Sequence, residues 1–401
     1  MHSEDLVNNR HEIHINRRIF LRDELNIDSS IQELGFACLN DWGLVKQWRQ
    51  GIRRMPITKA QKQYLDNIVF SGMHCGLYVV HNPTVLIYRW PSGEERWFMV
   101  TQHGNLVEPH DYSVWDSFLP FATKSNGIIH FSMNNIISLE RDTLKQSLVW
   151  APFSNNYTHF LIDSYAPLIT TATRSWVKSP SDYKIFSFQA YDSWQEKLLA
   201  NLPYGHIIYN QPLNPLSPRS VVLKPSRVIY PVLSGRPVAI HLLRLMMHKA
   251  FGISPFCSFS YQPSSRVVLL TRHDLRRKRI RNIKHIESIV LEKGGIVVDP
   301  ASLSFGDKVN VLKEASLCIA EGSSSLNHAL FSPDRCHLLN LTDPSILAKA
   351  EFTVGGWPYH IYNAWRTSFL IGDHPLPLAN SPLGSADYDI DFITNLIDAT
   401  C

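Results

Sequence analysis

The chain has 401 residues, of which 44% are apolar and 18% are charged, a balance that excludes a disordered protein and predicts two or three packed domains. The formal charge of +4 is too small for a polybasic nucleic-acid coat, and no apolar run reaches the roughly 18 residues that a membrane span needs. Six cysteines without a C-x-x-C pair argue against a zinc cluster or a disulfide framework, and the polar start at residues 1–18 is unlike a signal peptide. We therefore expect a cytoplasmic protein that binds a ligand.

The first half of the chain is predicted to be rich in β-structure between residues 76 and 150. Strands are expected at 76–81, 84–89 and 96–101, because β-branched and aromatic residues there are bounded by Pro, Gly and Asn. A helix is expected at 157–175.

Residues 204–238 are rich in Pro, Ser and Asn, and the prolines prevent a long helix. We expect a surface crossing here between an N-terminal domain, 1–238, and a C-terminal domain, 239–401. A helix at 241–251 would open the second domain.

The last third of the chain alternates strand and helix signals. A helix is expected on the apolar spacing of Ile280, Ile283, Ile286 and Val290. The remaining candidates are strands at 266–271, 296–299, 317–320 and 337–341, a helix with its N-cap at Ser304, and a short helix at 324–331. This order predicts a parallel sheet covered on both faces, with ligands at the carboxyl ends of its strands.

Basic residues are concentrated at 266–284. This segment holds eight of them and one acid, a net charge of +7, whereas the whole chain sums to +4. A strand end followed by a helix start already favours anions, and Arg adds two-pronged phosphate recognition. We expect Arg272, Lys278 and Arg279 to bind a nucleotide diphosphate. A solvated helix face, or a patch for anionic lipid or nucleic acid, is the alternative.

A second anion-binding candidate is the turn that follows the third predicted strand of this sheet. One glycine and three consecutive serines there permit close backbone approach and supply hydroxyls and helix-capping groups. The turn lacks the last glycine of a G-x-S-x-G nucleophile elbow and the Gly-Lys pair of a phosphate loop. An ordinary cap and turn is the alternative. The candidate residues are Glu321, Ser323, Ser324, Ser325 and Asn327.

His159 and Asp163 are four residues apart, so on an α-helix they share one face. Such a pair is suited to general-base catalysis, to a metal, or to a buried structural hydrogen bond.

Two other patterns resemble metal-binding motifs but are not expected to bind a metal. Asp387-Tyr388-Asp389 resembles the Asp-x-Asp of metal-using sugar transferases but is expected to be an acidic loop or a helix start, and His11 to His14 does not form H-E-x-x-H.

In their order, these segments resemble glycosyltransferase family 61 over about residues 75–345. The family's Asn-x-x-His-x-x-x-(Asp/Glu) element is matched by Asn156, His159 and Asp163. Its later basic, Pro-containing and glycine-rich elements are matched by Thr271-Arg272, Lys278-Arg279, Asn282, Asp299-Pro300, Leu303 to Phe305 and Glu321 to Phe331. The family's commoner turn is His-Gly-Ala-Gly-Leu, whereas this chain has Gly322 to Leu326 as Gly-Ser-Ser-Ser-Leu.

The resemblance implies an α/β, GT-B-like fold: two Rossmann-like lobes facing a cleft, with a β-rich N-terminal portion. It also implies inverting transfer from a nucleotide-sugar donor, without an essential metal or a cofactor, to a saccharide or lipid-linked saccharide acceptor. The N-terminal lobe would supply Asp163 as the base, with His159 as its partner or as the base itself, and Asn156 on the acceptor side. No nucleic acid is expected, and a peripheral contact at the inner face of the membrane would fit a lipid-linked acceptor.

We expect a bacterial surface-polysaccharide enzyme. Two alternatives stay open: a non-catalytic nucleotide- or polysaccharide-binding partner in the same pathway, and a metal-using Asp-x-Asp transferase.

Overall fold

The described residues form a mixed α/β structure with several sheets and few helices. The chain divides into two compact units, Met1–Leu39 with Met73–Ser234 and Asn40–Gly72 with Gly235–Cys401. The computed structural model describes residues 11–15, 17–20, 28–38, 49–50, 53, 58–60, 62–63, 74–89, 95–108, 122–125, 128–133, 136–138, 147–151, 160–173, 176–187, 192–208, 220–234, 243–246, 266–272, 280–321, 324–333, 336–342, 367–377 and 384–400.

The first unit is built mainly from strands. Its described strands are β1 (His11–Ile15), β2 (Arg17–Phe20), β3 (Ile31–Cys38), β4 (His74–His81), β5 (Thr84–Arg89), β6 (Glu95–Val100), β7 (Asn105–Glu108), β8 (Ala122–Ser125), β9 (Ile128–Met133), β10 (Ile136–Ser138), β11 (Ser147–Val149), β12 (Tyr183–Ser187), β13 (Gly205–Ile208), β14 (Ser220–Leu223) and β15 (Arg227–Ser234). The helical elements are a π-helical turn at Phe160–Tyr165, α1 (Ala166–Thr173), a 3-10 turn at Pro180–Asp182 and α2 (Ser193–Leu199).

Two six-stranded sheets provide the core of this unit. One has the order β13-β12-β11-β15-β4-β3 and the other the order β10-β14-β5-β6-β7-β2, while β1, β9 and β8 form a smaller sheet. Apolar side chains from both large sheets pack into one buried cluster, which includes Tyr78, Trp97, Val221 and Tyr230. Burial of this shared apolar surface stabilises the pairing of the two sheets.

The strand predictions at 76–81, 84–89 and 96–101 are confirmed by β4, β5 and β6. The predicted helix at 157–175 is confirmed from Phe160 to Thr173, although its first turn is π-helical. Residues 157–159, 174 and 175 lie outside the described residues.

The predicted surface crossing at 204–238 is wrong in its described part. Residues 205–208, 220–223 and 227–234 form β13, β14 and β15, and β15 lies between β11 and β4 inside its sheet. Val228 and Ile229 are fully buried. Proline excludes a long helix here but not a strand, and Pro231 lies beyond Ile229, the last residue of β15 that pairs with β11.

The second unit contains a five-stranded parallel sheet with the order β17-β16-β18-β19-β20. Its elements are β16 (Arg266–Leu270), α3 (Ile283–Glu292), β17 (Ile296–Val298), a 3-10 turn (Pro300–Ser302), α4 (Phe305–Leu312), β18 (Ala315–Glu321), a 3-10 helix (Ser324–Phe331), β19 (His337–Thr342), β20 (Thr367–Ile371), β21 (Asp373–Pro377), β22 (Gly384–Asp387) and α5 (Ile390–Thr400). The predicted parallel sheet is therefore confirmed, with β20 as an additional strand. Of the helix predicted at 241–251, residues 243–246 are described and are helical.

Both faces of this sheet are covered, as the sequence predicted. Alternate residues of β16 and β18 pack with the apolar sides of α3 and α5 in one buried cluster. On α4, Phe305 contacts the ring of Phe331 in the 3-10 helix, with the ring centroids 5.2 Å apart. The predicted N-cap is confirmed as well, because the Ser304 hydroxyl accepts a hydrogen bond from the Asp307 N–H at 3.2 Å.

Residues 387–389, just before α5, form hydrogen bonds and an ion pair, in part with residues at the start of α3. The Asn282 side-chain amide donates to the Tyr388 carbonyl at 2.7 Å, and the Tyr388 N–H donates to the Asn282 Oδ1 at 3.1 Å. Arg281 forms an ion pair with Asp387 at 2.9 Å, and Asp389 Oδ1 accepts from the Phe392 N–H at 3.0 Å. Asp387 therefore takes part in an ion pair and Asp389 caps the start of α5, so the predicted helix start is confirmed.

No described helix is long and apolar enough to cross a membrane.

Candidate functional site

The strand order of the parallel sheet produces a topological switch point at the carboxyl ends of two neighbouring strands. From β16 the chain crosses to β17 on one side and then returns to β18 on the other side. The connections that leave the carboxyl ends of β16 and β18 therefore diverge, and ligands of open α/β sheets bind at such a point. We take this divergence point between β16 and β18 as the candidate site.

An ion pair spans the divergence point. Arg272 follows β16, Glu321 is the last residue of β18, and the Arg272 Nη1 lies 3.8 Å from the Glu321 Oε1. The Arg272 side chain is 30% exposed and the Glu321 side chain 10%, so the pair is partly shielded from water. The planar guanidinium group of an arginine at such a position is suited to a two-pronged contact with an anion.

Two further basic side chains approach the same edge. His328, in the 3-10 helix after β18, is buried, and its pKa is lowered to about 3 by burial and by the nearby charges of Lys308 and Arg272. The pKa of Lys308, on α4, is also lowered by burial, while Asp299 acts in the opposite direction. His328 is therefore neutral at pH 7, and the positive charge of the site resides on Arg272 and Lys308.

Local capping places Lys308. After β17 ends, the Asp299 carboxylate accepts from the Ala301 N–H at 2.9 Å and starts the 3-10 turn, and Ser304 then caps α4. Lys308 lies one turn into that helix, beside a small cleft at the carboxyl ends of β16 and β17. The cleft is lined by Leu270, Val298, Pro300, Leu303, Lys308, Val311, Leu312 and His328.

Of the residues predicted for the site, the structure brings Arg272 and Glu321 together. Ser324, Ser325 and Asn327 lie in the 3-10 helix directly after β18, and Asp163 lies in the π-helical turn of the first unit. Asn156, His159, Lys278, Arg279 and Ser323 lie outside the described residues. Except for Arg272 and Glu321, the contacts of these candidates therefore stay predictions.

The other described basic residues of 266–284 are engaged elsewhere. Arg266 pairs with Glu314 at 3.1 Å, Lys284 with Glu287 at 2.8 Å, and Arg281 with Asp387. For these three residues the interpretation as surface charges fits best. Lys308 and His328 were missed by sequence reasoning, although His328 follows the serine-rich turn and Lys308 follows a recognised N-cap.

The family model described as Glycosyltransferase 61 matches residues 157–339, a little under half of the chain. The matched range contains Asp163, Arg272, Lys308, Glu321 and His328. No curated protein matches the chain. The predicted resemblance is confirmed over these residues, and it supports a glycosyltransferase enzyme with a sugar donor and an acceptor as substrates.

Proposed function

We propose that the protein is an inverting, metal-independent glycosyltransferase that moves a sugar from a nucleotide-sugar donor to a saccharide acceptor in bacterial surface polysaccharide synthesis. The observation that carries the proposal is the Arg272–Glu321 ion pair at the divergence point of the parallel sheet, inside the range of the family match. The proposal includes a GT-B-like arrangement in which an N-terminal lobe, 1–238, faces a nucleotide-sugar-binding lobe, 239–401.

On the donor side, the leaving group is a nucleoside diphosphate, whose negative charge grows as the glycosidic bond breaks. Arg272, Lys278 and Arg279 would stabilise that charge, together with the hydroxyls and backbone N–H groups of Ser323, Ser324 and Ser325. These groups perform the role that a divalent cation has in metal-using transferases.

Glu321 requires a different role, because a carboxylate repels a diphosphate. Its position next to Arg272 suits it to orient the guanidinium group. Its carboxylate is also suited to accept a hydrogen bond from a hydroxyl group of the nucleotide-sugar donor. The side-chain amide of Asn327, in the following 3-10 helix, would also bind the donor.

In the transfer step, the acceptor hydroxyl attacks the anomeric carbon on the face opposite the diphosphate. The new C–O bond forms as the bond to the diphosphate breaks, so the configuration inverts, and the hydroxyl proton passes to the base. We propose Asp163 as the base that accepts this proton, with His159 as its orienting partner or as the base itself. Asn156 would contact the acceptor. General-base catalysis of this kind contributes roughly 10²–10⁴ in rate.

The acceptor is a saccharide or a lipid-linked saccharide. We place the reaction in the cytoplasm, with peripheral contact at the inner face of the membrane when the acceptor is lipid-linked.

The test begins with a panel of nucleotide sugars, scored for binding by calorimetry and for slow hydrolysis to the free nucleotide. Asp163→Asn should lose transfer yet retain nucleotide binding. Arg272→Ala should weaken nucleotide binding by about tenfold or more, the loss of a charge-assisted hydrogen bond. Arg266→Ala is the matched control, because Arg266 lies at the opposite end of the same strand and pairs with Glu314.

Near wild-type turnover of Asp163→Asn would overturn the assignment of the base. Equal affinity losses in Arg272→Ala and Arg266→Ala would overturn the placement of the donor. Loss of activity in a chelator would favour a metal-using transferase.

A non-catalytic nucleotide- or polysaccharide-binding partner is the second candidate. It is favoured by the turn Gly322 to Leu326, which replaces the commoner His-Gly-Ala-Gly-Leu. Absence of hydrolysis with every nucleotide sugar would support this candidate. A thermal shift on adding nucleotide would then indicate a nucleotide-binding partner, and no shift would indicate a polysaccharide-binding one.

A further inference from the structure

Lys308 occupies an unusual place for a lysine. It belongs to the cleft at the carboxyl ends of β16 and β17, whose other lining residues are apolar apart from His328. The side chain is partly buried, whereas lysines are mostly found at the exposed surface. Its methylene stem suits such an apolar wall, and the cleft lies at the carboxyl ends of the strands, where ligands of such sheets bind.

Lys308 shares this edge with Arg272, although the two residues come from different elements. Both lie near the buried ring of His328, whose pKa each of them lowers. Two cations held near one neutral side chain repel one another, so an anion bound between them lowers the energy of the site. Asp299 and Glu321 partly offset the repulsion, each acting on one of the two cations.

The other described basic residues of 266–284 differ from Arg272 in one respect. Arg266, Arg281 and Lys284 each form an ion pair at 3.1 Å or less, whereas Arg272 and Glu321 are 3.8 Å apart. The looser pair at the divergence point leaves more room for a competing anion. A neutral His328 near Arg272 adds no positive charge to the site.

We infer that Lys308 binds the diphosphate of the nucleotide-sugar donor together with Arg272, across the buried ring of His328. The inference rests on the proposed function, to which it adds a residue from α4 that no sequence motif marked. Lys308 would neutralise charge on the leaving group, and its removal is expected to impair diphosphate binding more than recognition of the nucleoside.

The experiment measures the affinity of the full chain for UDP, GDP, CDP and ADP, for the corresponding nucleosides and for inorganic pyrophosphate by isothermal titration calorimetry. For the diphosphate that binds wild type, Lys308→Met should lose about tenfold or more in affinity, the cost of one charge-assisted contact. Lys308→Arg should retain most of the affinity. The affinity for the nucleoside alone should be unchanged.

Lys313→Met is the matched control, because Lys313 ends the same helix, is exposed and contacts Asn310 at 3.1 Å. Lys308→Gln serves as a second variant if Lys308→Met does not fold. Equal affinity of Lys308→Met and wild type for the diphosphate would overturn the inference. If wild type also hydrolyses a nucleotide sugar in that case, the proposed function stands without Lys308, whereas binding of none of the diphosphates by wild type overturns both.

Discussion

Asp28 permits a quantitative test of how the first unit is held together. Its side chain is fully buried, and its two oxygens accept four hydrogen bonds. Oδ1 accepts from the Ser30 N–H at 3.0 Å and from the Ser30 hydroxyl at 2.5 Å. Oδ2 accepts from the Thr101 hydroxyl at 2.6 Å and from the Asn105 amide at 2.9 Å. The carboxylate thus ties the segment before β3 to the hairpin between β6 and β7.

The pKa of Asp28 gives the size of the effect. Burial raises it, but the hydrogen bonds outweigh burial and lower the pKa from 3.8 to about 2. At 1.36 kcal/mol per pKa unit, the ionised form stabilises the fold by about 2.5 kcal/mol relative to the protonated form. Asp28→Asn removes that charge and places an NH₂ group against donors, so we expect a loss of about 2–4 kcal/mol at pH 7.

Urea denaturation followed by circular dichroism measures this loss. Because the folded-state pKa is depressed, the stabilisation is complete above about pH 5, declines below about pH 4 and is lost near pH 2. The difference between wild type and Asp28→Asn should therefore shrink between pH 7 and pH 3. Asp182→Asn, at an exposed position of the same unit, should change stability by less than about 0.5 kcal/mol. A loss below about 1 kcal/mol for Asp28→Asn at pH 7, or a loss of equal size at pH 3, would refute the reasoning.

Two further predictions concern the second unit. Asn282→Ala should destabilise the protein by about 1–3 kcal/mol in urea, since it leaves the backbone N–H and carbonyl of Tyr388 without their partner. Gly295→Ala should cost about 1–3 kcal/mol, because a Cβ there would lie 2.7 Å from the Val290 Cγ1. Gly294→Ala should cost only about 1 kcal/mol, since its φ is +74° but its Cβ would meet nothing within 4 Å.

The contrast between the two glycines is the control for the steric argument, and equal losses at Gly294 and Gly295 would contradict it. For Asn282, the control is Asn310→Ala at an exposed position of α4. Equal stabilities of these two asparagine variants would show that the C-terminal segment is held by other contacts.

The sheet of the second unit was predictable because its signals are local. Each of its first four strands is a short apolar run, and each following helix is marked by apolar spacing, a cap or a glycine pair. Parallel strands buried on both faces read as continuous apolar stretches, as β16 and β18 do. Ser304 illustrates the strength of such signals, because its capping role was assigned from a three-residue spacing alone.

The first unit was predicted less completely because its pairing is non-local. β15 pairs with β4, from which it is separated by most of the unit, and with β11. The apolar runs Val221 to Leu223 and Val228 to Tyr230 were not predicted as strands because proline-rich segments lie beside them. Both runs are buried. Composition alone therefore favoured a crossing where tertiary pairing makes strands.

The helical spacing of Asp163 shows a related limit. The prediction that His159 and Asp163 share a face assumes 3.6 residues per turn, whereas Phe160–Tyr165 is π-helical, with hydrogen bonds from residue i to residue i+5. Local propensity does not mark a π-helical turn, so the relative direction of such a pair cannot be read from spacing.

The number of basic residues in 266–284 overstated the positive charge that is available to bind an anion. The net charge of 266–284 treats the segment as isolated, yet Arg266 and Arg281 pair with carboxylates far along the chain. What remains at the divergence point is Arg272, which meets Glu321 from β18 and lies near Lys308 from α4 only because β16 is the neighbour of both β17 and β18. Local patterns predict that strands exist, but not their order in a sheet. The residues that assemble such a site are therefore found singly in the sequence and as a group only in the fold.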